Sequence, residues 1–194
     1  MQLGPIRHRY TAKERAQKQG IGHYIYPRFT RLVDLNQSED KNPSDYYRLI
    51  MQSELRNMQI VSDVIDCVKR GRTPVVMTKY KEHAQKLYDM LQGVADHVFL
   101  LQGGKSLKER AAIREQMAAV RADEGLVLVA IGQYVGEGFN YPRLDTMLLA
   151  MPISFEGNVE QHAGRLNRDY EGKKDAIAAR ISCTKSARSP WPPA

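Results

Sequence analysis

A set of short apolar runs, separated by segments of helical pattern, most constrains how this chain can fold. The clearest run covers residues 126–130, five apolar residues of the kind found in a central parallel strand with both faces buried. Residues 74–78 and 146–151 have the same apolar character. A length of 194 residues suits one domain with a sizeable core. The sequence therefore predicts one domain of the α/β class.

The remaining elements follow from local patterns. Further strands are predicted at residues 23–29, 97–101 and 176–181. A helical segment is predicted from Pro43 to Arg70, in two pieces, with the apolar face Val61, Val64, Ile65 and Val68. A second helix follows residue 78 and has the apolar face Ala84, Leu87, Tyr88 and Leu91. Ser106 and Glu109 form an S-x-x-E capping box before a helix that buries Ile113, Met117 and Val120.

Charge and cysteine usage narrow the class of protein. The formal net charge of +7 favours a polyanionic partner, nucleic acid first. The two cysteines, Cys67 and Cys183, have no metal-ligand spacing and suggest no disulfide framework, so we predict no metal site and a reducing cytoplasm. Neither a signal peptide nor an apolar run of membrane-spanning length is visible in the sequence.

The segment 161–168 reads Q-x-x-G-R-x-x-R. On a helix, Gln161, Gly164, Arg165 and Arg168 share one side, while Val159, Ala163 and Leu166 can face a core. Two guanidiniums one turn apart suit the phosphate oxygens of a nucleoside triphosphate. A solvated basic helix face is the structural alternative for the two arginines. Asn158 with Gln161 also fits a variant capping box, which is an alternative for Gln161, and His162 is interpreted as a surface residue.

A glycine-rich loop follows the apolar run at 126–130. Ligands of open α/β sheets bind at the carboxyl ends of strands, so residues 131–142 stand where chemistry is expected. Gly132, Gly136 and Gly138 permit positive φ and a close approach of backbone to a ligand. Their spacing is not G-x-G-x-x-G, so a dinucleotide fingerprint is excluded.

Taken together, residues 129–142 and the Q-x-x-G-R-x-x-R segment resemble motifs V and VI of superfamily-two helicases. Within this superfamily, the sequence resembles DEAD/DEAH-box-type DNA helicases related to the translocating subunits of restriction enzymes. The resemblance covers residues 1 to about 175. It implies the second RecA-like (P-loop NTPase-type) domain of a two-domain motor, a three-layer domain with a mostly parallel sheet and helices on both faces.

The resemblance also implies roles at an ATP site in the cleft between two motor domains. Arg168 would be the arginine finger, Arg165 would sense the γ-phosphate and couple it to domain closure, and Gln161 would orient near the nucleotide. Gly136, Glu137, Gly138 and Asn140 would line the nucleotide cleft. The family often has Asp where Asn140 stands, so a charge is lost there.

A second set of roles concerns the nucleic-acid backbone. Residues 74–78 resemble motif IV, and residues 102–110 resemble motif IVa, whose turn often touches the backbone of the strand. The residues implied to contact nucleic acid are Thr78, Gly103, Lys105, Ser106, Ile131, Gly132 and Gln133. A purely structural turn is the alternative for residues 103–106. The family often has Thr or Ser where Ile131 stands, so a hydroxyl that could bond a phosphate is missing.

Two motor motifs are absent from the sequence. Gly104-Lys105-Ser106 looks like the end of a P-loop, but position 99 is Phe instead of the required glycine. There is also no D-E-x-[DH] motif for Mg²⁺. We therefore expect ATP with Mg²⁺ to be bound mainly by a missing N-terminal RecA-like domain of the same protein, which is the expected partner together with DNA, and the isolated chain to be inactive.

We expect three regions. Residues 1–22 form a basic arm, either solvated or packed between domains. Residues 23–181 form the RecA-like domain. Residues 182–194, which contain Pro190, Pro192 and Pro193, are expected to be a disordered tail or an altered, truncated C-terminus. The chain is expected to come from a bacterial or phage-like cytoplasmic protein.

The sequence is also compatible with two other functions. The first is a stand-alone, non-enzymatic RecA-like module that binds nucleic acid or a protein, although such a module has little use for two aligned arginines. The second is a small-molecule α/β enzyme. Against it, Cys67 is predicted on the buried side of a helix, and no His–Asp pairing is evident.

Overall fold

The short apolar runs form the strands of a single parallel sheet. The computed structural model of the chain describes residues 22–30, 43–104, 106–132, 140–151, 166, 170, 173 and 175–183. Within these residues the strands are β1 (Gly22–Thr30), β2 (Pro74–Thr78), β3 (His97–Leu101), β4 (Leu126–Ile131), β5 (Thr146–Leu149) and β6 (Asp175–Cys183). Their order is β1-β6-β5-β2-β4-β3, and every pair of neighbours is parallel.

Strand β4 supplies side chains to both faces of the sheet. Leu126, Leu128 and Ala130 belong to one apolar core, and Val127, Val129 and Ile131 belong to the other. Successive residues of a strand point to opposite faces, so a strand covered on both sides must be apolar throughout. This explains why residues 126–130 form an unbroken apolar run.

The helices cover both faces. They are α1 (Pro43–Gln52), α2 (Glu54–Lys69), α3 (Lys81–Met90) and α4 (Leu107–Ala119). Met117 of α4 lies in the core on one face, and Ile60 of α2 and Leu87 of α3 lie in the core on the other. The predicted α/β three-layer arrangement with helices on both faces is therefore confirmed.

The predicted boundaries match closely. Strands β2 and β3 have the predicted bounds, and the helical segment after Pro43 is broken into two pieces at Ser53, as expected. Strand β5 ends at Leu149, two residues early, although Ala150 and Met151 remain buried. Strand β6 continues to Cys183, so it includes the first two residues assigned to the tail.

The predicted apolar face of α2 was only partly right. Val64 is fully buried, but Val61 and Val68 only pack against the core from its margin, and Ile65 is half-buried. The side that faces the sheet instead carries polar residues among apolar ones: Arg56, Asn57, Ile60, Asp63, Val64 and Cys67. Hydrophobic periodicity does not detect this face, because long-range hydrogen bonds satisfy its polar groups.

The amino edge of the sheet is closed by a charged cluster centred on Arg72, just before β2. Its Nη1 lies 2.6 Å from an oxygen of Asp175, and its Nε lies 3.4 Å from Asp145 and donates to the Thr146 hydroxyl at 2.6 Å. Burial raises the pKa of Asp145, and Arg72 opposes that shift. The cluster joins the starts of β5 and β6 to the segment that leads into β2.

A second contact at this edge uses Arg143, just before β5. Its guanidinium donates to the carbonyls of Arg121, Ala122 and Glu124, in the segment that leads into β4. The charges of the amino edge are thus directed at the protein itself. Across the described part of the chain, no helix combines the length and the apolar character needed to cross a membrane.

Candidate functional site at the carboxyl edge of the sheet

Five of the residues implied to contact nucleic acid lie together at the carboxyl edge. Thr78 and Ile131 are register partners at the ends of β2 and β4, and Leu101 pairs with Ala130. The segment after β3 therefore leaves the sheet beside the end of β4, because parallel strands end at the same edge. We call the following residues the carboxyl-edge group: Thr78, Gly103, Ser106, Ile131 and Gly132.

The side chain of Thr78 is committed to a buried hydrogen-bond chain. It is 5% exposed, and its Oγ1 lies 2.8 Å from His83 Nδ1. His83 Nε2 lies 3.0 Å from Asn57 Oδ1, and Asn57 Nδ2 donates to the Met51 carbonyl at 2.9 Å. Thr78 thus offers a ligand its backbone and its neighbours rather than its hydroxyl.

The protonation of His83 follows from these partners. Since the Asn57 amide nitrogen donates to Met51, its oxygen must accept, so His83 Nε2 carries the hydrogen and Nδ1 accepts from the Thr78 hydroxyl. Burial, together with the smaller effect of the Arg56 and Lys86 charges, lowers the pKa of His83 to about 4. His83 is therefore a neutral, structural histidine at pH 7.

Arg56 holds two other strand ends at this edge. It is 1% exposed, and its guanidinium donates to the Thr30 hydroxyl at 2.8 Å and to the Ala150 carbonyl at 3.1 Å. Thr30 ends β1, and Ala150 directly follows β5. The first turn of α2 thus fixes the ends of β1 and β5 through Arg56, and reaches the end of β2 through Asn57 and His83.

The turn between β3 and α4 has a backbone that favours glycine. Gly104 has a φ of +93°, and a Cβ at this position would lie 3.4 Å from Lys81 Nζ. Ser106 begins α4 with the predicted capping box: the Glu109 amide donates to Ser106 Oγ at 3.2 Å, and the Ser106 amide donates to Glu109 Oε2 at 2.6 Å. The structural role of Ser106 is confirmed, while its contact with nucleic acid stays a prediction.

Ile131 and Gly132 stand at the end of β4. The Ile131 side chain is 7% exposed and packs in the core on the α2–α3 face, so this position presents its backbone to the edge. Ile131 thus adds a core contact at this position and offers no hydroxyl to a ligand. Gln133, the next residue implied to contact nucleic acid, lies outside the described residues, as does Lys105.

A second feature at this edge was missed in the sequence. Lys79 is exposed and directly follows β2, and its ammonium lies 5.0 Å from the ring centroid of Tyr47 on α1 and 5.8 Å from that of Tyr80. The two rings are 5.7 Å apart and tilted by 53°. We call Tyr47, Lys79 and Tyr80 the Tyr-Lys patch. Its sequence signal is the position of Lys79 and Tyr80 directly after a buried parallel strand.

Most of the residues implied to lie at an ATP site are not described by the structure. Gln161, Arg165, Arg168, Gly136, Glu137 and Gly138 lie outside the described residues. Leu166, which stands between the two arginines in the sequence, is helical and 3% exposed, and it belongs to the core on the α4 face. The prediction that Leu166 faces a core is confirmed.

Asn140 is exposed and next to a segment held at the opposite edge. The Tyr141 hydroxyl donates to the Met117 carbonyl at 2.9 Å, in the last turn of α4, and Arg143 contacts the segment before β4. Helix α4 begins after the carboxyl edge and ends near the amino edge, so these contacts anchor the chain far from the carboxyl-edge group. The described contacts therefore do not bring Asn140 together with that group.

The described residues include no cluster of three or more His, Cys, Asp or Glu side chains that could hold a metal ion. Cys67 is fully buried, as predicted, and burial raises the pKa of its thiol to about 12. Because the thiolate is the nucleophilic form, Cys67 is unsuited to nucleophilic catalysis at neutral pH.

Three known proteins show what the chain is similar to. Transcript termination protein A18 of Fowlpox virus (strain NVSL) is 29% identical over 117 residues, which make up 59% of this chain and 24% of that protein. The structure of T4 UvsW matches 86% of this chain and 35% of its own, with a TM-score of 0.66 and 20% identity. Domain 2 of the DEAD-box helicase Mss116p, bound to an RNA duplex, matches 84% of this chain and 54% of its own, with a TM-score of 0.55 and 12% identity.

No protein-family model matches the chain. The chain spans about a quarter of the length of A18 and about a third of UvsW. The structural matches lie below 25% identity, so they bear on architecture rather than on activity. They agree with the all-parallel sheet and the helices that cover it. The chain therefore has the RecA-like α/β fold found in helicase C-terminal domains.

Proposed function

We propose that this chain is the second motor domain of an ATP-dependent DNA helicase or translocase. One observation carries the proposal: the RecA-like sheet brings Thr78, Ile131 and the β3–α4 turn to one carboxyl edge, where ligands of such sheets bind. On this proposal the chain works with an N-terminal RecA-like domain that carries the P-loop and the Mg²⁺-binding motif. Alone it binds nucleic acid but hydrolyses no ATP.

The nucleic-acid side of the edge consists of backbone and cations. Because the side chains of Thr78 and Ile131 are buried, their proposed contacts go through the backbone, and the exposed Lys79 and Lys81 supply positive charge, with Lys81 near the turn at Gly104. Lys105 and Gln133 complete this set on the proposal. Such contacts go to phosphates, position the strand and carry little sequence information.

The nucleotide side is proposed to consist of Arg165, Arg168 and Gln161, with residues 136–138 and Asn140 lining the cleft. The buried position of Leu166 supports the spacing predicted for this segment, in which Leu166 faces a core and the two arginines share another side. Guanidinium groups fit the oxygens of a triphosphate in charge and in shape. When bound, ATP with Mg²⁺ supplies the phosphoryl group whose hydrolysis drives domain opening; Arg168 stabilises charge, and Arg165 reports nucleotide occupancy.

The decisive experiment uses the whole protein that the gene encodes. We expect a P-loop and a D-E-x-H-type motif upstream and in frame, and an ATPase stimulated by nucleic acid. Arg168→Ala should lower kcat by about 10³-fold or more, as for other arginine fingers. Arg168→Lys keeps the charge but not the fork, and Arg121→Ala, at an exposed pair with Asp123, is the matched control. An unchanged kcat in Arg168→Ala would contradict the assignment.

A stand-alone binding module is the second candidate. The Tyr-Lys patch favours it, because this exposed surface is complete within the chain itself. A stop codon directly upstream of the reading frame, together with nucleic-acid binding by the chain alone, would support this candidate. Both candidates predict binding that weakens with salt, since counterions are released from phosphates. Affinity independent of salt would contradict both.

Finer features belong to the same proposal. DNA is the expected strand, a relation to restriction-enzyme translocating subunits is the expected lineage, and a bacterial or phage-like cytoplasm is the expected compartment. Competition between DNA and RNA strands of one sequence tests the first of these. A clear preference for RNA would leave the motor assignment intact but replace the substrate.

A further inference from the structure

We propose that the Tyr-Lys patch is a base-stacking site for single-stranded nucleic acid, so that this edge grips bases as well as phosphates. The inference rests on the proposed function and extends it from the backbone of the strand to its bases. It starts from three side chains that converge beside the end of β2: Tyr47, Lys79 and Tyr80.

The position of Lys79 shows that the two tyrosine rings are accessible from outside. An exposed ammonium lies over both rings, at 5.0 Å from the Tyr47 centroid and 5.8 Å from the Tyr80 centroid. A cation at this distance interacts with the negative face of a ring, and because Lys79 is exposed, we infer that the face it covers lies toward solvent. Tyr47 and Tyr80 are themselves partly exposed residues.

Lys79 can act as a replaceable occupant of that surface. An exposed cation–π contact is weak, and the side chain of lysine is long and flexible, so a base can displace the ammonium at little cost. The displaced ammonium then remains within reach of the phosphate attached to the same nucleotide. One side chain thus covers the rings in the free protein and binds phosphate in the complex.

The surroundings suit a polyanionic strand. Lys81 lies two residues further along, and its Nζ is near Gly104 of the β3–α4 turn, which connects the patch to the carboxyl-edge group. Arg48 follows Tyr47 on α1 and is exposed, with Asp45 at 3.9 Å. Glu82, three residues after Lys79 in the sequence, is an exposed acid. Aromatic rings combined with a basic track are the usual composition of sites that bind single strands without sequence preference.

The test compares strands with and without bases. The full 194-residue chain is titrated by fluorescence anisotropy against a labelled oligothymidylate, an oligouridylate and an abasic strand of equal length. We expect the two base-bearing strands to bind roughly fivefold tighter or more than the abasic strand, the lower range for one stacked base. Tyr47→Ala should remove most of that preference, and Tyr47→Phe should keep it.

Two further variants complete the design. Lys79→Gln should reduce the slope of log affinity against log salt by about one, while the preference for bases remains. Tyr24→Ala is the matched control, because Tyr24 is also an exposed tyrosine stacked on another, Tyr26, but lies on β1 away from the patch. If Tyr47→Ala fails to fold, Tyr47→Trp retains an aromatic ring, and base-bearing strands should quench its fluorescence while abasic strands should not.

The outcomes separate the two proposals. Equal, salt-dependent affinity of the wild-type chain for base-bearing and abasic strands would overturn the stacking site and leave the proposed phosphate contacts standing. An equal loss in Tyr47→Ala and Tyr24→Ala would also overturn it. If no strand binds at low salt, the proposed nucleic-acid function fails together with the stacking site.

Discussion

The two edges of the sheet use charged and polar residues in opposite ways. At the amino edge, Arg72 and Arg143 are directed inward, at carboxylates, a hydroxyl and backbone carbonyls of the chain itself. At the carboxyl edge, the buried side chains of Arg56 and His83 bind strand ends, while Lys79 is exposed. Buried polar groups thus stabilise the fold at both edges, and on our proposal the exposed Lys79 makes the carboxyl edge the one that binds a ligand.

The largest expected effect concerns the amino edge. Arg72→Ala leaves Asp145 and Asp175 without their shared guanidinium, and breaking such a partly buried group should cost about 3–4 kcal/mol of unfolding free energy. Urea denaturation measures the loss. Because this edge is structural, the nucleic-acid affinity of the folded fraction should not change. A weaker affinity with an unchanged unfolding free energy would reverse the roles given to the two edges.

The second effect is a pH dependence that originates beneath the carboxyl edge. His83 has an ordinary pKa of 6.5 when the chain is unfolded and about 4 when it is folded, so the unfolded chain binds more protons between these values. Stability is therefore complete above pH 6.5 and falls by roughly 2–3 kcal/mol as the pH drops to about 4. The pKa of Asp145, which burial raises above its ordinary value of 3.8, acts in the opposite direction.

Urea denaturation across this pH range tests the assignment. His83→Gln should remove most of the decrease in unfolding free energy between pH 6.5 and 4. His97→Gln is the matched control. His97 begins β3, its side chain is over one-third exposed, and its Nε2 lies 3.4 Å from Glu124 Oε2. The decrease should persist in this control. If it disappears in His97→Gln and persists in His83→Gln, the source of the pH dependence lies at the other edge.

A third, smaller effect is the loss of stability when a glycine of positive φ is replaced by alanine, compared at two positions. Gly104 at the carboxyl edge and Gly93 after α3 have φ values of +93° and +79°, so alanine should cost about 1–2 kcal/mol at either position. Only Gly104→Ala should also weaken nucleic-acid binding, because its turn lies beside Lys81. Calorimetry and anisotropy measure the two quantities. Equal affinities of the two variants would show that the turn at Gly104 does not contribute to nucleic-acid binding.

The smallest effect tests the capping box. Ser106→Ala should cost about 1 kcal/mol, because the Glu109 amide loses its hydroxyl acceptor at the start of α4. Ser53→Ala is a close control: Ser53 also precedes a helix but makes no side-chain cap hydrogen bond, so we expect almost no loss. Thermal unfolding of the two variants measures the difference. Equal losses would show that the cap contributes nothing specific.

Much of the fold could be predicted from sequence because its strands are buried on both faces. Every residue of 74–78 and 126–130 is buried, so both segments can be recognised in the sequence as mainly apolar runs. The capping box of Ser106 is equally local, since both hydrogen bonds span three residues. The buried position of Leu166 followed from helical spacing alone.

The buried polar residues could not be predicted, because their partners are distant in sequence. Arg56 reads as a surface position of a helix until Ala150, 94 residues away, accepts its hydrogen bond. His83 likewise depends on Asn57, 26 residues earlier. For the candidate site, the sequence predicted mainly its location at the carboxyl edge of the sheet. The Tyr-Lys patch was missed because Tyr47 meets Lys79 only in the folded structure.

The pairing of β1 with β6 has a consequence for how the chain folds during synthesis. These are the first and the last strands of the described sheet in the chain, yet they lie side by side and pair from Gly22–Asp175 to Thr30–Cys183. Among the six described strands, β1 is synthesised first, and it must wait for its neighbour until the other five have been made. Closing so long a loop costs entropy and slows folding. We therefore expect β1 to join the sheet last and to be the segment most exposed to aggregation or chaperone binding in nascent chains.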